Sequence, residues 1–151
     1  MDLACCADIR LASFECVLSV REVRLGLAAD VGTLQRFPKL CSDGSRVREL
    51  CLTGEDFDAQ EAWRIGFVSR LSERVWEDAV EVACRVAALS PVAVVGTKAS
   101  LNYSRDHSVL EGLQHVAMHN ALALMTRDLG IGGGDTTRPD VFEDMAPHAR
   151  L

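Results

Sequence analysis

The sequence predicts an α/β segment followed by a helical subdomain. Two observations carry this. Up to about residue 72, short β-branched or apolar runs alternate with capped helical stretches. From Trp76 onward, three long stretches show apolar residues spaced by three and four, with cap signals between them. Strand–helix alternation and then a run of helices is the pattern of a layered α/β core with a helical appendage.

The elements follow in order. Met1-Asp2-Leu3-Ala4-Cys5-Cys6-Ala7 reads as a helix already under way. Ile9 to Ser13 and Cys16 to Val20 read as buried strands. Thr33 to Phe37 forms a short helix that Pro38 is expected to stop. Ser42-Asp43 caps an amphipathic helix carrying Val47, Leu50 and Leu52, which Thr53-Gly54 ends. Asp58-Ala59-Gln60-Glu61 has the form of a capping box, opening a helix through Trp63 that ends at Gly66. Phe67 to Leu71 is a further strand. Trp76 to Leu89, Ser90-Pro91 to about Tyr103, and Ser108 to about Arg127 are the three long helices. The second has Ser at the cap and Pro in the first turn; the third opens on the capping-box pattern Ser108-Val109-Leu110-Glu111. The expected organisation is therefore a core over 1–72, helices over 73–134 and a polar tail over 135–151.

Composition narrows the function classes. At 48% hydrophobic and 25% charged, the chain has the make-up of an ordinary globular domain. A net charge of −6 argues against a nucleic-acid partner and against an anionic membrane surface. No apolar run approaches the roughly 20 residues of a membrane span, and no secretory leader is expected. Cys5, Cys6, Cys16, Cys41, Cys51 and Cys84 include no C-x-x-C pair and no zinc-type spacing, so they are read as buried reduced thiols.

Chemistry concentrates in Val20 to Arg36 and in the acid at the start of the chain. Glu22 and Asp30 sit in a segment that is otherwise mostly small and apolar, on a strand-to-helix connection rich in Gly and Ala. Carboxylates in an apolar wall tend toward raised pKa values and serve as proton shuttles. Small residues beside them let a flat substrate approach the backbone. Elsewhere the bland readings hold. His115 and His119 lie four apart on one helix face, but without the Glu of H-E-x-x-H they are read as packing residues rather than metal ligands. Gly130 to Gly134 has no preceding strand and no following Lys-Ser/Thr, so it is no phosphate loop. Lys98 is read as a solvated helical charge and Arg36 as a structural ion-pair partner.

Asp2-Leu3-Ala4-Cys5-Cys6-Ala7-Asp8-Ile9-Arg10, the run Leu27-Ala28-Ala29-Asp30-Val31-Gly32-Thr33, the stretch Ser90-Pro91-Val92-Ala93-Val94 through Lys98, and Tyr103-Ser104-Arg105-Asp106-His107-Ser108-Val109 together carry a resemblance. The chain resembles the dienoyl-CoA isomerase branch of the crotonase (enoyl-CoA hydratase/isomerase) superfamily. Hydratases of that superfamily have Glu where this chain has Asp2, keep a Glu at the position of Glu22, and have no acid at the position of Asp30.

The resemblance implies the C-terminal part of a crotonase β-β-α spiral followed by a helical trimerisation subdomain. It implies isomerisation of a 3,5-dienoyl-CoA to a 2,4-dienoyl-CoA, with no cofactor beyond the CoA of the substrate. Glu22 would take the C2 proton, Asp30 would return one at C6, and Asp2 would line the pocket. Negative charge would build on the thioester oxygen, where backbone N–H groups stabilise it. It also implies homo-oligomers, trimers often paired into hexamers. The family's Gly-Gly-Gly turn and the half-domain before it, which supply those N–H groups and most of the CoA surface, do not occur in this sequence. The chain is therefore expected to be about half a subunit, with little turnover of its own. Two other readings are an enoyl-CoA hydratase, which the acid at Asp30 disfavours, and a non-catalytic piece acting only in assembly. The ending Ala149-Arg150-Leu151 fits the small-basic-leucine peroxisomal address that such isomerases often carry, so a peroxisome or related organelle is expected, with mitochondria or the cytosol as alternatives.

Overall fold

The computed structural model describes residues 1–126. The chain divides into two compact units, Met1–Val80 and Glu81 onward. The Gly130–Gly134 loop and the Ala149-Arg150-Leu151 ending lie outside the described residues.

The first unit is built on a core of Cys5, Ala12, Val20, Phe37, Val47, Leu50, Phe57, Ala59, Ala62, Ile65, Phe67 and Val68. Phe37 sits at its centre, fully buried, with its ring edge-on to Phe67 at 5.0 Å and stacked on Phe57 at 6.1 Å. Each such aromatic pair contributes about 0.5–1.5 kcal/mol beyond the area it buries. Helix α1 (Asp2–Cys6) buries Cys5 and packs on α2 (Thr33–Leu40).

The strand expectations hold in place but not in length, and the expected burial fails at Val17, which is exposed. Strand β1 (Leu11–Ala12) pairs in parallel with β4 (Arg70–Leu71), and β2 (Val17–Leu18) pairs antiparallel with β3 (Phe57–Asp58). Isolated bonds extend the first pair: Ser69 N donates to Arg10 O at 2.9 Å and Ser72 N to Ala12 O at 3.0 Å. Strand β3 was not foreseen, because its two residues run directly into the Asp58 cap.

Helix α2 departs from the expectation at Pro38. It continues two residues beyond the proline, to Leu40. Pro38 removes its own N–H, but Phe37 and Leu40, three apart, pack against the core and carry the helix on. Packing here outweighs propensity.

Helix α3 (Gly44–Thr53) starts as expected, with Asp43 Oδ1 accepting from Arg46 N at 2.9 Å, and it buries Val47 and Leu50. Leu52 lies on its exposed side. Gly54 closes it at φ +62°, and a Cβ there would lie 3.0 Å from both Val23 Cγ1 and Arg24 Cγ. Glycine is thus required twice over, by the left-handed backbone and by the side chains stacked on it. Helix α4 (Ala59–Arg64) uses only half of its capping box. Asp58 Oδ1 accepts from Glu61 N at 2.8 Å, while the Glu61 carboxylate turns away to Arg46 and Arg64, both at 2.6 Å.

Helix α5 (Val75–Ala87) spans the division between the units. In the second unit, α6 (Pro91–Ser104) and α7 (Val109–Ala123) pack on each other as a hairpin. Ser90 Oγ caps α6 at Ala93 N, and Ser108 with Glu111 forms the full capping box of α7. His115 stacks on Tyr103 at 4.3 Å, and His119 lies against Gly96, so both histidines serve the helix contact. Their Nδ1 and Nε2 atoms, respectively, are buried. Among the described residues, no single helix is long and apolar enough to cross a membrane. Of the cysteines, Cys5 is buried, Cys16, Cys41 and Cys51 are half-buried, and Cys6 and Cys84 are exposed, which corrects the expectation of six buried thiols.

Candidate active site

The segment carrying Glu22 and Asp30 is a loop held at both ends. Val20 before it and Ala29 near its far end are buried, at 2% and 6% exposure. Between them the chain makes a 3-10 turn, Glu22–Leu25, which closes when Leu27 N donates to Glu22 O at 3.1 Å. Two arginines fasten this turn to a distant stretch of chain. Arg21 forms a forked ion pair with Asp56, and Arg24 Nε donates to Thr53 O at 3.1 Å. The turn therefore rests on the end of α3.

Anchoring leaves the acids in different settings. Glu22 is half-buried and Asp30 is exposed. The expectation that both stand in a buried apolar wall fails for Asp30. The apolar residues around it, Leu27 and Val31, also face outward, so the segment buries its small residue Ala29 rather than its large ones.

Beneath the loop is a cavity of about 400 Å³, walled by Val20, Val23, Leu27, Ala29, Leu34 and Cys51 among others. Neither carboxylate forms part of that wall, but both flank it in sequence: Glu22 adjoins Val23, and Asp30 adjoins Ala29. Burial pushes the Cys51 thiol up, and the Glu22 carboxylate adds to the shift. The side chains of the wall are apolar apart from that thiol, so it suits an apolar group.

Asp2, the third expected site residue, is engaged elsewhere. Its Oδ1 accepts from Thr33 Oγ1 at 2.6 Å and from Thr33 N at 3.1 Å. The Thr33 hydroxyl foremost holds the Asp2 carboxyl below its ordinary value. Thus the structure ties Asp2 to a point three residues beyond Asp30. Thr33 was not foreseen as a site residue. The signal for it is Gly32, which stands at the cap of α2 with no side chain to offer, so that the first amide of the helix needs an acceptor from elsewhere. Arg36 lies across Gly32, and its Nη1 donates to Val31 O at 3.2 Å.

Another cavity of the first unit, about 990 Å³, is lined by Phe14, Arg46, Glu61, Trp63, Arg64 and Arg70 among others, and neither Glu22 nor Asp30 is in its lining. Arg46 bonds Glu61, Glu55 and Glu49, and Arg64 bonds Glu61 and Asp43. Arg64 and then Arg46 hold Glu61 down to about 2, from an ordinary value of 4.5. A carboxylate depressed in the folded state stabilises the fold above its unfolded value and loses that contribution as the pH falls through its folded one. Glu61→Gln is therefore expected to lower stability near neutrality and to flatten its decline between about pH 4.5 and about pH 2. Urea unfolding at stepped pH measures this. An acid limb as steep as that of the unsubstituted protein would show that Glu61 is not its source.

Residues 1–126 match the enoyl-CoA hydratase/isomerase family. The chain is 46% identical over 132 residues to the mitochondrial Delta(3,5)-Delta(2,4)-dienoyl-CoA isomerase of Homo sapiens, covering 85% of this chain and 40% of that protein. It is 39% identical to the peroxisomal Delta(3,5)-Delta(2,4)-dienoyl-CoA isomerase of Arabidopsis thaliana, covering 85% of this chain and 47% of that one. Among solved structures, the enoyl-CoA hydratase of Bacillus anthracis superposes with a TM-score of 0.80 at 29% identity, covering 84% of this chain and 50% of that one. The chain thus spans about half the length, or somewhat less, of the relatives it resembles. The chain takes the fold of that solved hydratase over most of its length, resembles the dienoyl-CoA isomerases named above in sequence, and belongs to the enoyl-CoA hydratase/isomerase family.

Proposed function

We propose that the protein isomerises a 3,5-dienoyl-CoA to a 2,4-dienoyl-CoA by carboxylate proton transfer. The observation that carries this is the pair Glu22 and Asp30 on one anchored loop, flanking in sequence the apolar residues of a cavity. Glu22 accepts the proton that leaves C2. The electron pair moves through the diene as its two double bonds shift, and Asp30 delivers a proton at C6. The two carbons are too far apart for one side chain to serve both. Greater identity to dienoyl-CoA isomerases than to the hydratase, together with the acid at Asp30, disfavours a hydratase reading.

The isomerase reading has a direct test. The purified natural polypeptide is given a 3,5-dienoyl-CoA and, separately, a 2-enoyl-CoA, with the conjugated thioester product of the first followed by absorbance. Hydration of the enoyl substrate without dienoyl turnover would overturn the reading.

In the same reading the second unit assembles the protein into trimers or hexamers. Leu101, Val109, Leu113, Met118 and Leu122 on α6 and α7 are all more than half exposed, more apolar surface than a single hairpin needs to show water. The ending Ala149-Arg150-Leu151, with the peroxisomal relative, supports a peroxisomal address. A fluorescent protein fused ahead of the chain, with and without those three residues, reads it out.

A further inference from the structure

We infer that Asp2 is a positioning residue rather than a proton carrier: it clamps the first turn of α2 and thereby fixes the connection that carries Asp30. The inference rests on the isomerase reading of Glu22 and Asp30, and it assigns the third acid of the site a different task.

The geometry begins with a deficit. Helix α2 is preceded by Gly32, at φ +108°, and makes no cap bond from that residue's side. Its opening amides still need acceptors. Asp2, thirty-one residues earlier and in the first turn of α1, supplies one carboxylate oxygen to both Thr33 N and Thr33 Oγ1. Thr33 is fully buried, so neither donor has water to fall back on. The bond also spans two packed helices, α1 and α2. Ala29 anchors the connection on one side of Asp30, and Thr33 anchors it on the other. The Asp2 contact thus fixes the first residue of α2, three residues beyond Asp30.

The same contact disqualifies Asp2 as a shuttle. A shuttle must take up and release a proton near the working pH. Two donors converge on Asp2 Oδ1, and both favour the charged form. The Thr33 hydroxyl foremost holds the group below its ordinary value, so it stays ionised where the reaction runs.

The test uses the natural polypeptide with Asp2→Asn, Asp2→Ala and Thr33→Val. Asparagine keeps the accepting oxygen but cannot carry the proton. Expected for Asp2→Asn are a kcat well above that of Asp2→Ala and an unchanged pH–rate profile. Asp2→Ala should lose about 10²-fold, the scale of a misplaced catalytic group. Thr33→Val should lose part of that, and Asp2→Ala with Thr33→Val should be no worse than Asp2→Ala alone. Hydrogen exchange at the Thr33 amide should be slow in wild type and Asp2→Asn and fast in Asp2→Ala. Asp2→Asn as impaired as Asp2→Ala, or a Thr33 amide still protected in Asp2→Ala, would overturn the inference. Should the full-length natural protein turn over no dienoyl-CoA, the isomerase reading falls, while exchange at Thr33 still decides the clamp.

Discussion

Replacement of Asp30 by Asn is expected to cut dienoyl-CoA turnover by roughly 10²–10⁴-fold, the usual weight of a positioned general acid. The amide is nearly isosteric and cannot give up a proton to C6. Because Asp30 is exposed, the exchange should leave stability within about 0.5 kcal/mol of wild type, so the loss reads as chemistry rather than unfolding. Glu22→Gln should lose a comparable factor. Glu15→Gln, another exposed acid outside the loop, is the control and should keep full rate. Turnover of a 3,5-dienoyl-CoA by Asp30→Asn at near the wild-type rate would remove the proton-transfer role.

The second large effect is expected in the hairpin of the second unit. A Cβ added to Gly96 would stand 1.9 Å from His119 Nε2 and 2.4 Å from Cδ2, about half of an ordinary contact distance. Two effects oppose each other in Gly96→Ala. Alanine gains about 1 kcal/mol of helix propensity over glycine within α6. Forcing the imidazole out of a packed helix contact costs about 1–3 kcal/mol, and the displaced ring must also carry its buried nitrogen elsewhere. The clash is expected to win. Thermal unfolding and amide exchange across α6 and α7 should show the hairpin loosened in Gly96→Ala. In Gly96→Ala with His119→Ala the obstruction is gone, and stability should recover above the single variant. A Gly96→Ala protein as stable as wild type would refute this account of the hairpin.

Much of the chain was legible from local rules. Ser90-Pro91 and Ser108 to Glu111 start helices where the sequence places them, because a cap is a contact between near neighbours. Gly54 ends α3 for the same reason. What escaped was settled by residues far apart. Pro38 does not end α2, since Phe37 meets Phe57 and Phe67. Glu61 leaves its capping box because Arg46, fifteen residues earlier, competes for it. The acids themselves stand out by type and by their apolar neighbours, and the loop that carries them is where the sequence placed it. Their exposure was not legible, because it depends on Arg21 reaching Asp56 and Arg24 reaching Thr53. Asp2 was legible as a site acid; its bond to Thr33 was not.

Those two arginine ties have a consequence for transplanting the loop. Residues 20–30 do not hold their shape by their own bonds alone; their mould is the stretch from Thr53 to Asp56. Gly54 belongs to that mould too, since any larger residue would press on Val23 and Arg24. A graft that moves only the acidic loop into a related protein would arrive without its seat. The smallest transferable cassette is therefore the whole interval from Val20 through Asp56, together with the Asp2 that clamps Thr33. Drift at its far end, more than twenty residues from either acid, would retune the site as surely as changes beside them.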